Sequence, residues 1–430
     1  MLSLSLSCKD SETTTGGGNS GNNFLPQNPS SSSSSSSVIA SNSDLLIQIL
    51  LCLPVKSLLV FKSVSKRWLS VISDPHFVNN HSLRNRLSIP GLFLIKLSLN
   101  INPEFDFIFL DGRKQGTSGV PFKTLNFVND PAGIMIQQSC NGLLFCRSFT
   151  TNPYDRTSYY IYNPSTKHYK ILLESQFGTK GFESVCSVSL AFDPLKSPHY
   201  EAICIWKNEG DSYQIEIYSS KTASWRFSGD SFFAPKDVVY RSGVFWNGSL
   251  HWVSNLIECL IYFDIDREQV KTMPMPQPDD DEWESRRIGY FGECRGHLYL
   301  IEIFDPSVTR FNILEMEINY TGWKVKHRID LVGLIIAYPE IVRDDDDDED
   351  EPSRFDYSVL HVEEEEESFK LVIKVPDKII SYDLKELSFK KIHDLPSLHM
   401  GGLFSNPHAL KLINTSSHSL VFDNLLTVLI

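Results

Sequence analysis

The chain lacks most of the features that announce a chemistry. None of its eight cysteines, at positions 8, 52, 140, 146, 186, 204, 259 and 294, forms a CxxC pair or sits near histidines at zinc-finger spacing. A structural zinc site is therefore not expected. There is no HExxH, no GxSxG, no Walker phosphate loop and no glycine-rich dinucleotide turn. That removes the common metallohydrolase, serine-hydrolase, NTPase and dehydrogenase sites, and no cofactor or metal is expected. No apolar run approaches the roughly 18 uninterrupted residues of a membrane span. The first residues, MLSLSLSCKDSE, have neither a basic start nor an apolar stretch long enough for a secretory signal. The expectation is a soluble, non-secreted protein, cytoplasmic, nuclear or both, with free thiols. The sequons at Asn247, Asn319 and Asn414 are then unused.

An excess of basic charge is also missing. The formal charge of -13 argues against general binding to nucleic acid or to an acidic membrane. Much of that charge is concentrated in two runs, Asp344–Glu351 and Glu363–Glu367, which hold 13 of the 53 acidic residues. The remaining acids balance the 40 lysines and arginines, so the folded body is close to neutral. Like-charge blocks repel themselves and stay solvated, so residues 343–367 are expected to be an acidic loop insertion.

What is present falls into three parts. Residues 1–38, with Gly16–Gly18 and the serine run from Ser30 to Ser37, cannot bury enough apolar surface to offset ordering entropy; a disordered tail is expected. Residues 39–86 carry the strong helical periodicity of the chain. Leu46, Ile49, Leu50 and Leu53 follow the i, i+3, i+4, i+7 spacing of one helix face. Phe61, Val64, Ser65, Trp68, Leu69 and Ile72 repeat it one element later. Leu53-Pro54 breaks the first helix, and Asp74 is placed to cap the helix that Pro75 opens. Leu45, Leu51, Cys52 and Leu58 lie off these stripes, so the helices are apolar on more than one side. The extra face packs either on the rest of the chain or on another protein.

This segment resembles an F-box. The resemblance rests on Asp44-Leu45-Leu46, Ile49-Leu50, Leu53 to Leu58, Phe61 to Trp68 and Ile72 to Phe77, in order and in spacing. The resemblance implies docking on a Skp-family adaptor, and through it on a cullin. Its adaptor-binding residues would be Leu45, Leu46, Ile49, Leu50, Leu53, Pro54, Val55, Leu58, Phe61, Val64 and Trp68. Several of them must also hold the helices together. One departure stands out: an F-box usually opens with Leu-Pro, and here Ser41 and Asn42 occupy those positions.

From residue 90 to 430 the pattern changes to short strands rich in Phe, Tyr, Val and Ile, bounded by Gly, Pro, Asn and Asp. Tight turns followed by apolar pairs recur at Asn141-Gly142, Asn247-Gly248 and Arg295-Gly296. A second recurring strand places Tyr162, Tyr218, Phe263, Met316 and Tyr382 at matching positions, in steps of 56, 45, 53 and 66 residues. A period near 50 residues with four strands each is the mark of propeller blades. With an initial copy at Pro90–Val128 the expected number is about six, and His408–Phe422 is expected to close the ring. The region resembles the kelch-like, F-box-associated domain of plant proteins. The carriers are Ser139 to Leu143, Ile161 to Thr166, Ala191 to Pro194 and Gly243 to Gly248, although the glycine pairs of kelch blades are missing.

The expected fold is thus α+β in two domains, a small three-helix all-α F-box followed by an all-β, kelch-like propeller. The resemblances imply a non-enzymatic substrate-recognition subunit of a Skp–cullin–F-box ubiquitin ligase, whose β domain binds a protein substrate. The alternative is an adaptor-independent protein-binding propeller with a degenerate F-box. A propeller enzyme is the third reading.

Overall fold

Among the described residues, eight tight turns hold residues other than glycine in the left-handed backbone region, and their placement explains the fold. Asn141 (φ 46°), Asn247 (φ 47°) and Arg295 (φ 51°) each precede a glycine that also has positive φ. This pairing is what a two-residue hairpin turn demands. Lys167, Ala223, Glu268, Tyr320 and Leu387 form a second set, with φ between 48° and 60°. A computed structural model describes residues 43–53, 55–84, 91–98, 101–110, 124–131, 133–149, 157–164, 167–172, 185–208, 212–234, 238–254, 260–276, 287–303, 309–343, 354–365, 367–395 and 425–428. The expected tail, Ser41 and Asn42, Pro54 and the run 344–351 lie outside the described residues.

The described residues divide into two compact units, with the boundary in the chain between Leu50 and Leu51. The first holds nearly all of helix α1 (Ser43–Leu51). The second begins with α2 (Val55–Phe61), α3 (Lys66–Ser73) and α4 (Pro75–Arg84). Four short helices stand where three were expected.

Strands follow. The first hairpin is β1 (Gly91–Ser98) and β2 (Ile101–Phe109). Five four-stranded antiparallel sheets come next, each laid down in chain order. Blade one is β3 (Ile134–Cys140), β4 (Leu143–Ser148), β5 (Tyr159–Asn163) and β6 (His168–Leu172). Blade two is β7 (Val185–Ala191), β8 (Glu201–Lys207), β9 (Ser212–Ser219) and β10 (Ser224–Phe233). Blade three is β11 (Val238–Trp246), β12 (Ser249–Ser254), β13 (Leu260–Asp264) and β14 (Gln269–Met273). Blade four is β15 (Arg287–Cys294), β16 (His297–Ile303), β17 (Arg310–Met316) and β18 (Trp323–Asp330). A short helix α5 (Val332–Ala337) and the small pair β19 (Val342–Arg343) and β20 (Arg354–Phe355) lead into blade five. That blade is β21 (Ser358–Glu364), β22 (Phe369–Val375), β23 (Lys378–Asp383) and β24 (Ser388–Asp394). The last strand, β25 (Leu425–Val428), pairs antiparallel with β1.

The blade number is therefore five, not about six. The segment counted as an initial copy makes only the hairpin β1–β2, completed to three strands by β25. Ring closure comes from Leu425–Val428, and His408–Phe422 lies outside the described residues. Tyr162, Tyr218, Phe263, Met316 and Tyr382 each lie on the third strand of a blade, so the period marked one position per sheet. The second set of left-handed residues lies just after that strand, before the fourth. None of them is glycine; the short polar stretches after each recurring strand, such as Ser219 to Thr222, mark these turns instead.

Cores lie between neighbouring sheets. Leu144, Cys146, Tyr160 and Tyr162 pack with Phe93, Phe105, Phe107 and Phe109. Phe145 and Ile161 pack with Leu190 and Cys204 of blade two, and Ile203 and Ile215 with Trp252 and Phe263 of blade three. Trp246 and Tyr262 pack with Leu298 and Leu300, and Tyr299 and Ile313 with Leu371 and Ile380. Leu92 and Ile108 then close on Val372 and Ile379. The packing thus runs around a ring, the arrangement of a β-propeller.

Each four-stranded blade also has a register shift between its first two strands, as between Ile136 and Gln138 or between Val359 and His361. A bulge there increases local twist and bends the inner strand. Within the shift in blade three, Gly243 meets a crowded corner. A Cβ on it would lie 2.8 Å from Ser189 Oγ and 2.9 Å from Trp252 Nε1. Gly243→Ala is expected to destabilise the fold by about 1–3 kcal/mol through overpacking, measured by chemical denaturation. An unchanged midpoint would show that this corner yields.

The second acidic run is only partly a loop: Glu363 and Glu364 end a strand, Glu365 and Glu367 lie between β21 and β22, and Glu366 is outside the described residues. Ser358–Glu364 is the first strand of blade five, with His361 and Val362 fully buried. The alternation Val359, His361 and Val362 carries it into the core, and Glu364 is held by Lys326 of blade four at 3.1 Å. Ion pairing across blades offsets the repulsion that a charge run implies in isolation.

Candidate functional site

The helices are built by local chemistry. Ser65 caps α3, its Oγ accepting from the Trp68 N–H at 3.2 Å. Asp74 caps α4 as expected, Oδ1 accepting from the His76 and Phe77 N–H groups at 2.9 and 3.2 Å. His81 on α4 donates from Nε2 to the Leu53 carbonyl at 2.8 Å, tying α4 to the chain ahead of α2. Phe61 and Trp68 meet edge to face with centroids 5.3 Å apart.

The expected adaptor-binding residues fall into three groups. Leu46, Leu50 and Leu58 are buried. Leu53, Phe61 and Trp68 are half-buried, while Leu45, Ile49 and Val64 are exposed. Pro54 lies outside the described residues, and Val55 is placed only as the first residue of α2. Helix α1 alone shows the division: Leu46 and Leu50 bury one apolar row, and Leu45 and Ile49, both 40% exposed, leave a second row in water. Val60 (64%) and Leu69 (46%) are exposed as well. Val60 was absent from the expected set, and Leu69 was counted on a buried stripe. On α3 only Ile72 is buried, so the 3.6-residue period identified the helix but not which apolar positions it covers.

On the propeller, groups that resemble catalytic machinery satisfy one another. His251 of β12 is fully buried, with Nδ1 3.0 Å from the Val244 carbonyl and Nε2 2.9 Å from the Tyr320 hydroxyl. Burial pulls its pKa down to about 4, so the ring is neutral. Tyr262 and Tyr320 stack beside it, 4.4 Å apart. Between blades four and five the Tyr299 hydroxyl donates to Glu364 at 2.6 Å, and Lys326 reaches both Glu364 and Glu315 at 3.1 Å. Burial alone would lift Glu364; the Tyr299 hydroxyl and Lys326 hold its carboxyl below the usual range. His297 sits 2.6 Å from Glu315 in the same network. These contacts weld blades together. Cys140, Cys146, Cys186, Cys204 and Cys294 are free thiols, and burial pushes the Cys140, Cys146, Cys204 and Cys294 thiols upward, away from the reactive thiolate. Among the described residues no group of three or more His, Cys, Asp or Glu is arranged to hold a metal ion, and no helix is long and apolar enough to cross a membrane.

Residues 42–80 match the family model of the F-box domain, and residues 109–300 that of the F-box associated beta propeller domain. Over 377 residues the chain is 33% identical to an F-box protein of Arabidopsis thaliana, covering 84% of this chain and 87% of that one. The chain belongs to the plant F-box proteins. A second Arabidopsis thaliana F-box protein is 28% identical over 309 residues, covering 67% and 78% of the two chains. An F-box/kelch-repeat protein of the same plant is 28% identical over 251 residues, covering 54% and 65%. Among solved structures, the β-propeller domain of the trilobed protease from Pyrococcus furiosus aligns with a TM-score of 0.36 at 10% identity, over 71% of this chain and 94% of that one. In this F-box protein the matched F-box holds α1 to α3 and the start of α4, and the matched propeller domain runs from the end of β2 into β16.

Proposed function

We propose that this F-box protein is a non-catalytic substrate-recognition subunit of a Skp–cullin–F-box ubiquitin ligase. The F-box docks on a Skp-family adaptor, and the propeller presents a protein substrate to the ubiquitin-transferring subunits. Its own contribution to the reaction is proximity and orientation. The observation that carries this reading is the second apolar row of α1, Leu45 and Ile49, left in water beside a row that is already buried. Each is 40% exposed, so covering what remains contributes on the order of 1 kcal/mol apiece, and several such residues together can anchor a partner.

A pull-down with the full chain and a purified Skp-family adaptor tests it. Ile49→Asp together with Val64→Asp changes two exposed positions, so the fold survives and capture is expected to fall at least tenfold. Leu53→Ala with Pro54→Ala probes the turn between α1 and α2. Capture that persists through both double variants and through deletion of 43–80 would sink the proposal. It would leave an adaptor-independent propeller, the reading that Ser41 and Asn42 at the head of the motif keep open.

A further inference from the structure

The outer edge of blade two departs from the regular sheet in a way that opens a cleft. Register between β10 and β9 runs from Ser224 opposite Ser219 to Ser228 opposite Ile215, then shifts and resumes with Phe232 opposite Tyr213. Residues 229–231 therefore face the single residue Gln214. Gly229 takes φ 59°, a conformation that suits glycine. Gln214 braces the bulge, donating from Nε2 to the Ser228 and Gly229 carbonyls, both at 3.2 Å, and accepting from Ser231 Oγ at 2.9 Å. Such a brace holds the strand away from its neighbour.

Under the bulge lies a cavity of about 250 Å³ between blades two and three, lined by Ile215, Ser228, Phe232, Phe263 and Val270, with Asp230 and Glu268 also contributing. The lining is mixed, with Ile215, Phe232, Phe263 and Val270 beside Ser228, Asp230, Glu268 and Gln269, and the buried Ser228 hydroxyl lies against the Glu268 carboxylate. The lip is acidic. Glu268 is gripped by Arg226 through two bonds of 2.7 and 2.5 Å, which uses up that cation. Asp230 is exposed on the bulge, and among the described residues no cation pairs with it. Burial lifts the carboxyl of nearby Glu201; Arg226 opposes this, while Glu268 and Asp266 push it further up, and Asp266 is itself paired with Lys196 at 3.1 Å. β10 is also the free outer edge of its sheet, and it exposes Phe227 and Phe233, the latter 82% accessible. A bulged edge strand beside a cavity with an apolar side and an acidic lip is a surface on which a chain can lie.

We propose that this cleft binds an extended segment of a partner protein carrying a large apolar side chain next to lysine or arginine. The apolar side chain fills the cavity over Phe263 and Val270, its cationic neighbour meets Asp230, and the segment runs along β10 between Phe227 and Phe233. The proposal rests on the reading of the propeller as the substrate-holding part, and it names the class of segment recognised.

The probe is a fluorescein-labelled peptide, Gly-Lys-Arg-Leu-Arg-Lys-Gly, titrated by anisotropy against the full chain. Two control peptides replace Leu with Asn, or all four cations with Glu. Saturable binding of the parent peptide is expected, at least tenfold weaker for the Asn peptide and abolished for the Glu peptide. Val270→Trp, which fills the cavity from the surface, is expected to weaken the parent peptide at least tenfold, and Asp230→Lys several-fold with a smaller salt dependence. If Val270→Trp compromises folding, Asp230→Lys on the exposed bulge still decides the matter. No saturation up to ~1 mM peptide (a binding free energy near -4 kcal/mol), equal binding of the Leu and Asn peptides, or indifference to Asp230→Lys each overturns the proposal. Adaptor capture by the same preparation separates the two readings. A chain that captures adaptor and ignores the peptide loses this cleft alone, whereas one that binds the peptide and captures no adaptor loses the ligase reading alone.

Discussion

Gln138→Met should destabilise the propeller by on the order of 3–6 kcal/mol, although the substitution nearly preserves side-chain length and volume. Gln138 lies on β3 just past the bulge of blade one, and it is buried. Its Nε2 donates to the Leu190 carbonyl and to the Gly243 carbonyl, each at 3.0 Å, while its Oε1 accepts from the Leu190 N–H at 2.6 Å. One side chain thus joins the inner strands of blades one, two and three. β7 and β11 are edges of their sheets, so these backbone groups have no ladder partner on that side. Methionine fills the space and satisfies none of them, leaving two carbonyls and one N–H without a partner at about 1–3 kcal/mol each. Urea denaturation of the purified chain measures the loss. A cost under ~1 kcal/mol would mean that water enters and replaces the amide, and the idea of Gln138 as an inter-blade clasp would fail.

The second large effect is a loss of stability on acidification that begins well above the carboxylate range. His251 and His361 are both fully buried, and burial lowers their pKa values to about 4 and about 3. In the unfolded chain each returns to its ordinary value of about 6.5. Because the folded values lie below the unfolded ones, unfolding takes up protons as the pH drops. The stability is fully present above pH ~6.5 and declines toward pH ~4, by about 1.4 kcal/mol per pH unit for each histidine. Together they should remove on the order of 5 kcal/mol between pH 7 and pH 4. His361 contributes most simply, since its Nε2 has no hydrogen-bond partner and only the Tyr290 hydroxyl, 3.4 Å away, faces Nδ1. Denaturation midpoints across this window give the slope. His251→Gln with His361→Gln should flatten it whatever the substitutions do to absolute stability. A slope unchanged in the double variant would place the acid sensitivity in other groups.

Features set by neighbours in the chain were legible. Pro75 opened α4 and Asp74 capped it, because capping and helix initiation act within a few residues. Asn141-Gly142 and Asn247-Gly248 gave two hairpins for the same reason. The five third-strand positions from Tyr162 to Tyr382 gave the blade period, since every blade buries the same face of the same strand. Counting went wrong at β1 and β2, where a hairpin has the strand composition of a blade but obtains its third strand from Leu425–Val428 at the other end of the chain. Charge misled at Glu364, whose compensation comes from Lys326, a residue of another blade.

By itself, then, the sequence determined the helical head, the all-β ring and the positions of its tight turns, all products of local backbone chemistry and short-period burial. Only the tertiary structure decided which leucines of the F-box are covered and which stay in water, that Gln138 clasps three blades, and that a bulge at Gly229 opens a cleft. Each of these depends on residues 15 to 105 positions apart, or on which side of a helix finds a neighbour. Hydrophobic periodicity is blind to both, because it records where apolar groups are and not what covers them.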